Sequence, residues 1–241
     1  MANIDFRIKR ALEMHWDCVR QCIDRLNNSV TILPNDAGSI IAFSHSTPEV
    51  TFFEIAPTLL ILPERANDIQ NNMHVVLKGR LAIDKSHFVA TSELRTVSFQ
   101  SEAGYFRLRK SNSTLQHVYG AHYDLAEDEA GHPAFHVQLK SFMNFSDVVQ
   151  NKLSAPLTVV NGMDNVLKTV RVPSAQMDYF ALLLQVIADH LISANSSTPQ
   201  EIQLFKELIV KNKSIQGRAY EIARLHSPSA TSCYRAVHWY P

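Results

Sequence analysis

The residues of this chain best suited to chemistry lie in one segment, Gln116–Lys140, which reads QHVYGAHYDLAEDEAGHPAFHVQLK. It predicts a β-hairpin that turns around Glu127–Gly131. Successive strand residues point to opposite faces, so parity sorts the segment into two sets. Tyr119, Ala121, Tyr123 and Leu125, with Phe135, Val137 and Leu139, form the face expected in the core. His122, Asp124, His136, Gln138 and Lys140 form the other, and hairpin register could gather these five polar groups.

Three chemistries fit such a face. Asp124 with Gln138-Leu139-Lys140 follows a nuclease pattern in which an acid holds a divalent metal and a lysine orients the attacking water. Gln138 stands where such sites usually carry Glu, which removes a negative charge from the metal shell. Under the leading reading no cofactor is expected; Mg²⁺ or Mn²⁺ enters with the nuclease alternative. His122, Asp124, His132 and His136 are suitable ligand types for Zn²⁺ or Mn²⁺, at spacings that follow no zinc motif. Metal-free RNA cleavage could use His122 or His136 as base and acid, since imidazole titrates near neutrality. Arg107 and Arg109, two apart on the preceding strand, would then hold phosphate with Lys110 and Lys140. Alternation by itself explains the same pattern without chemistry, because antiparallel sheets commonly bury one face and wet the other.

The remaining candidates are weaker. His15, Cys18 and Cys22 fall near one helix face but lack a fourth ligand, and core packing accounts for them. His190 lies on the apolar side of a helix, and Asp189 with Gln185 could anchor a buried polar network. Asp178 and Asp189 stand eleven residues apart, about 16 Å along a helix, too far to share a metal. The terminal Arg235, Trp239 and Tyr240 are of the types favoured at protein interfaces, and equally suit a tail tucked into a core. No Gly-rich phosphate loop, G-x-S-x-G, H-E-x-x-H or C-x-x-C occurs.

The elements that must position these residues can be read in order. Ile8, Ala11, Leu12, His15, Val19, Cys22, Ile23 and Leu26 recur at helical spacing and predict a helix over Phe6–Leu26. From about Ser29 to Phe142 the composition shifts to Val, Ile, Thr, Phe and Tyr in short runs. The strands predicted there are Ser29–Leu33, Ser39–His45, Val50–Ile55, His74–Ile83, Phe88–Gln100, Tyr105–Lys110, Gln116–Leu125 and Ala134–Phe142. Pro63–Asn72 reads as a loop or a short helix. From Ser146 the pattern becomes mostly helical, past an ambiguous stretch at Leu157–Val172. Ser174 is placed to cap a strongly apolar helix running to about Ser193. Thr198-Pro199-Gln200-Glu201 has the capping-box pattern and starts a helix to about Lys211. A last short helix is predicted over Gln216–Leu225. The fold class expected is α+β within one domain, 1–241: an N-terminal helix (1–28), a mainly antiparallel sheet (29–145) and C-terminal helices packed on one face (146–241).

Composition bounds the function. The chain has 241 residues, 23 Lys plus Arg against 23 Asp plus Glu, and a pI near 7.2. That balance excludes a generally basic nucleic-acid coat, so any nucleic-acid contact through Arg107, Arg109, Lys110 and Lys140 must be local. Hydrophobic residues at 46% and charged residues at 19% suit a packed core, and 11 His are unusually many. The start lacks a signal-peptide core, no membrane span is expected, and three Cys, two of them four apart on one helix, do not make a disulfide framework; a cytoplasmic protein is expected.

The segment His122-Tyr123-Asp124 … His132-Pro133-Ala134-Phe135-His136 resembles an aromatic-Asp, His-Pro, His signature of small bacterial proteins. Some of these belong to toxin–antitoxin modules, and others look like accessory subunits of anti-phage or anti-plasmid systems. The resemblance spans about 20 of the 241 residues. It implies a bacterial defence context, with either a nuclease or a non-catalytic subunit working beside an SMC-like ATPase and a nuclease effector. With no complete catalytic motif, zero net charge and an aromatic tail, the non-catalytic partner subunit is the expected function. The alternative is a nuclease using the hairpin residues.

Overall fold

The computed structural model describes residues 3–26, 31–34, 39–61, 71–109, 114–125, 135–140, 157–159, 171–173, 177–192 and 197–212. The chain is α+β, with an N-terminal helix, an antiparallel sheet and C-terminal helices. Helix α1 (Ile4–Leu26) buries Ile8, Leu12, Trp16, Val19, Cys22 and Ile23, the stripe that its 3.6-residue spacing predicts plus Trp16. The strands are β1 (Thr31–Pro34), β2 (Ile41–Ser46), β3 (Val50–Ile61), β4 (Asn71–Asp84), β5 (Thr96–Arg109), β6 (Thr114–Leu125), β7 (Phe135–Lys140), β8 (Leu157–Val159) and β9 (Arg171–Pro173). Among the described residues they form one nine-stranded sheet. Its main path runs β1-β3-β4-β5-β6-β7-β9, with β2 also on β3 and β8 parallel to β6.

Three expectations change here. The predicted strand Phe88–Gln100 divides: Lys85–Thr91 is the short helix α2, and the strand begins only at Thr96. Asp84 caps α2 by accepting the His87 amide, and Ser92 ends it in the left-handed conformation at φ 61°. Local capping therefore overrides the β-branched run that reads as a strand. Tyr105–Arg109 then continues β5 instead of forming a strand of its own. Beyond residue 146, β8 and β9 return to the sheet before the helices begin.

Helix α3 (Tyr179–Leu191) starts four residues after the expected cap region. Its cap is Asp178, not Ser174: the carboxylate accepts the amides of Phe180 and Ala181, both at 3.0 Å. The capping box at Thr198 and Glu201 opens α4 (Pro199–Asn212) as expected, each side chain bonding the other residue's amide. Helix α3 lies on the β4–β5 face where Val75, Leu77, Leu81, Phe99 and Ala103 point, and its Tyr179 donates to Thr58 Oγ1 at 3.1 Å. Gly79 gives it room: a Cβ there would meet Tyr179 Cβ at 3.1 Å and the Gln100 carbonyl at 3.2 Å. Helix α1 packs beside α3, with Trp16 and His15 edge-on to Tyr179 and Phe180. No helix among the described residues is long and apolar enough to cross a membrane.

Candidate functional site

Register decides which side chains meet. In β6–β7, Asp124 pairs with His136, His122 with Gln138 and Gly120 with Lys140, which puts the five predicted polar positions on one face. The opposite parity pairs Tyr123 with Val137 and Leu125 with Phe135, the apolar face that the sequence indicates. The described C-terminal helices do not lie over the polar face, because α3 sits against the side of Gly79 and Tyr105.

On the other side of β6, β5 presents Gln100 to Asp124 and Glu102 to His122. Lys78 of β4 pairs with Glu102 in turn. The result is a polar ladder across four strands. Lys78 Nζ lies 2.9 Å from Glu102 Oε2, and Glu102 Oε1 lies 3.4 Å from His122 Nδ1. His122 Nε2 lies 2.9 Å from Asp124 Oδ2, and Asp124 Oδ1 lies 3.0 Å from His136 Nε2. His122 and His136 are buried, 7% and 3% exposed. Burial by itself would raise both carboxyl pKa values. For Glu102 the hydrogen bonds from His122 and Lys78 outweigh it and bring the group down to about 2. For Asp124 the two imidazoles outweigh burial and hold it well below the usual carboxylate range. Glu102 and Lys78 are the ladder members that the sequence reading missed. The signal was present, since Glu102 and Gln100 alternate on β5 at the parity that faces the hairpin.

The arginines expected to join this face do not. Arg107 and Arg109 hold odd positions of β5, the parity of Ala103 and Tyr105, whereas Gln100 and Glu102 hold even ones. They are therefore assigned to the sheet face opposite His122 and Asp124. Lys110 and His132 lie outside the described residues, as do Arg235, Trp239 and Tyr240.

Other sequence candidates resolve into packing. His15 and Cys22 are buried while Cys18 is exposed, so the three do not converge. Burial lowers His15 to about 4, beside Asn212 of α4. Gln185 donates to Asp189 at 2.8 Å, but this pair is exposed and not the buried network expected. His190 is half-buried, with its ring centroid 5.9 Å from that of Tyr105. Among the described residues, no group of three or more His, Cys, Asp or Glu is placed to hold a metal ion.

Beside the ladder, the same face opens into two adjoining grooves over β3, β4 and β5, about 320 and 530 Å³. Glu54, Arg80 and Gln100 line both. Arg80 and Glu54 form an exposed ion pair at 3.4 Å.

No family model, no curated protein and no solved structure matches the chain.

Proposed function

We propose that this protein is a non-catalytic interaction subunit of a multi-protein complex. The observation that carries the reading is that the ladder spends its chemistry on itself. Both nitrogens of His122 face carboxylates, Glu102 on one side and Asp124 on the other. Both oxygens of Asp124 face imidazoles. A general base needs a lone pair aimed at substrate, and a metal-binding acid needs an open oxygen. Buried polar groups satisfied in this way rigidify and specify a sheet. Two further points support the reading: the interface residue types Arg235, Trp239 and Tyr240 in the sequence, and the short resemblance to bacterial defence proteins. In that setting the protein would bridge an SMC-like ATPase and a nuclease effector of an anti-phage or anti-plasmid complex. The test is affinity purification at native expression from its own locus. Stable recovery of neighbouring gene products is expected, and recovery of the chain alone would overturn the reading.

The second reading is a nuclease on the hairpin, favoured by the register that aligns His122, Asp124, His136, Gln138 and Lys140 on one face. It is tested with purified protein on single- and double-stranded DNA and RNA, with Mg²⁺, Mn²⁺ or EDTA. Cleavage that disappears in Asp124→Ala would establish it.

A further inference from the structure

The groove next to the ladder has walls of a different chemistry. Register sets two neighbouring rows across the sheet: Phe52, Ala82 and Ser98, then Glu54, Arg80 and Gln100. The first row is small in its middle and closed at one end by an aromatic. Phe52 is stacked on His45, ring centroids 4.1 Å apart and planes 8° from parallel. His45 and Ser98 are exposed and Phe52 is half-buried, so both ends of this row are open to a ligand, while Ala82 between them is buried. The second row runs alongside, about 7 Å away at two residues of strand rise. It offers a guanidinium fork, a carboxylate and an amide.

We infer that this groove binds a nucleobase, its ring against the Phe52–His45 stack over Ala82 and Ser98, and its edge read by Arg80, Glu54 and Gln100. Three points support that ligand class over a simple anion. Arg80 is already balanced by Glu54, so the row carries donors and acceptors together and not a net positive charge. Arg donates two parallel hydrogen bonds to a base edge, a carboxylate accepts from exocyclic amino groups, and an amide does either. An aromatic wall stacks any base. The volume of about 320 Å³ for the stacked end falls in the range of small-molecule sites. The base could belong to a free nucleotide or to a single strand lying along the adjoining groove of about 530 Å³. This inference does not depend on the interaction-subunit reading, and a failed affinity purification leaves it standing.

The test uses the purified full chain with two probes: the four ribonucleoside monophosphates by calorimetry, and short labelled single-stranded oligonucleotides by fluorescence anisotropy. Saturable binding of at least one probe is expected. Phe52→Ala should weaken it by about fivefold or more, the size of a lost stacking contact. Ser98→Leu fills the floor from an exposed position and should abolish it with the fold intact by circular dichroism. Arg80→Lys keeps the charge but removes the fork, and should erase preference among bases. Binding of monophosphates identifies a nucleotide site, and binding of oligonucleotides alone identifies a strand site. No saturable binding of either probe, or binding unchanged in both Ser98→Leu and Phe52→Ala, overturns the inference.

Discussion

Replacing Glu102 with Gln tests the ladder with the smallest change of shape. The amide keeps an oxygen that can face His122 Nδ1 and loses the charge that draws in His122 and Lys78. In the folded protein the carboxyl is brought from 4.5 to about 2, with only 17% of its side chain exposed. Each pH unit is worth about 1.4 kcal/mol, so the charge contributes about 3 kcal/mol at neutral pH. The sign follows from the direction. A carboxyl depressed on folding adds stability that is complete above pH 4.5 and is lost as pH falls through about 2. Glu102→Gln should therefore lower stability by about 2–3 kcal/mol at pH 7, a fall in Tm of about 5–10 °C for a chain of this size. Between pH 3 and pH 2 the gap should shrink to about 1 kcal/mol and then below about 0.5 kcal/mol. Chemical denaturation at each pH measures the difference. A gap under about 0.5 kcal/mol at pH 7, or one that persists unchanged at pH 2.5, would refute the claim that charge, and not shape, holds the ladder.

Four further outcomes are expected. His15 is lowered to about 4 by burial, so the protein should lose stability as pH falls from 6.5 towards 4, and His15→Phe should flatten that part of a Tm-against-pH curve. His74 is 2% exposed, with both ring nitrogens unpartnered, and burial likewise lowers it to about 4. His74→Leu should be neutral at pH 7 and stabilising at pH 5 in the same scan. Asp178→Ala removes the cap of α3 and should cost about 1–2 kcal/mol by urea denaturation, with Asp178→Ser recovering much of it. Gly79→Ala brings a methyl to 3.1 Å from Tyr179 Cβ and 3.2 Å from the Gln100 carbonyl and should destabilise by about 1–3 kcal/mol in urea denaturation.

What the sequence revealed of this fold is what period and parity carry. The α1 stripe, the α4 capping box and the parity of the β6–β7 hairpin follow from local spacing, and the structure has them, although Tyr119 and Leu139 of the expected core face are exposed while His122 and His136 of the other are buried. What stayed hidden was decided at a distance or by a single side chain. Asp84 and Asp178 start helices where the apolar pattern suggests a strand end or an earlier cap. Trp16 joins the core because Tyr179 stands 6.3 Å away, 163 positions along the chain in no local pattern. Parity itself fails at a bulge. Between Tyr105 and Phe106 the register of β5 on β6 shifts, so that Phe106 opposes His117 and not Val118. His117 is odd-numbered, yet the extra residue turns it to the even-parity side, with Phe106 and His74. Counting alternate residues along β6 would have placed it with Tyr119.

Strand parity also bears on which chemistry this face can support. A phosphate-cleaving site needs cations that are free to meet developing negative charge. The sequence offered Arg107 and Arg109 for that role, but their odd positions assign them to the far side of the sheet. The side chains that β4 and β5 do supply come as opposite charges in contact: Lys78 with Glu102, and Arg80 with Glu54. These two pairs differ in what they leave available. Lys78–Glu102 is drawn into the ladder, where the imidazoles of His122 and His136 close the series around Asp124. Arg80–Glu54 is more than half exposed on both partners, and exposed pairs hold each other by no more than about 1 kcal/mol. A ligand that offers an acceptor to the one and a donor to the other can replace that contact at little cost, whereas opening the ladder forfeits several kcal/mol. The proposed recognition on this face is therefore placed in the groove and not on the ladder, whose His122, Asp124 and His136 are paired among themselves beside Gln100 and Glu102.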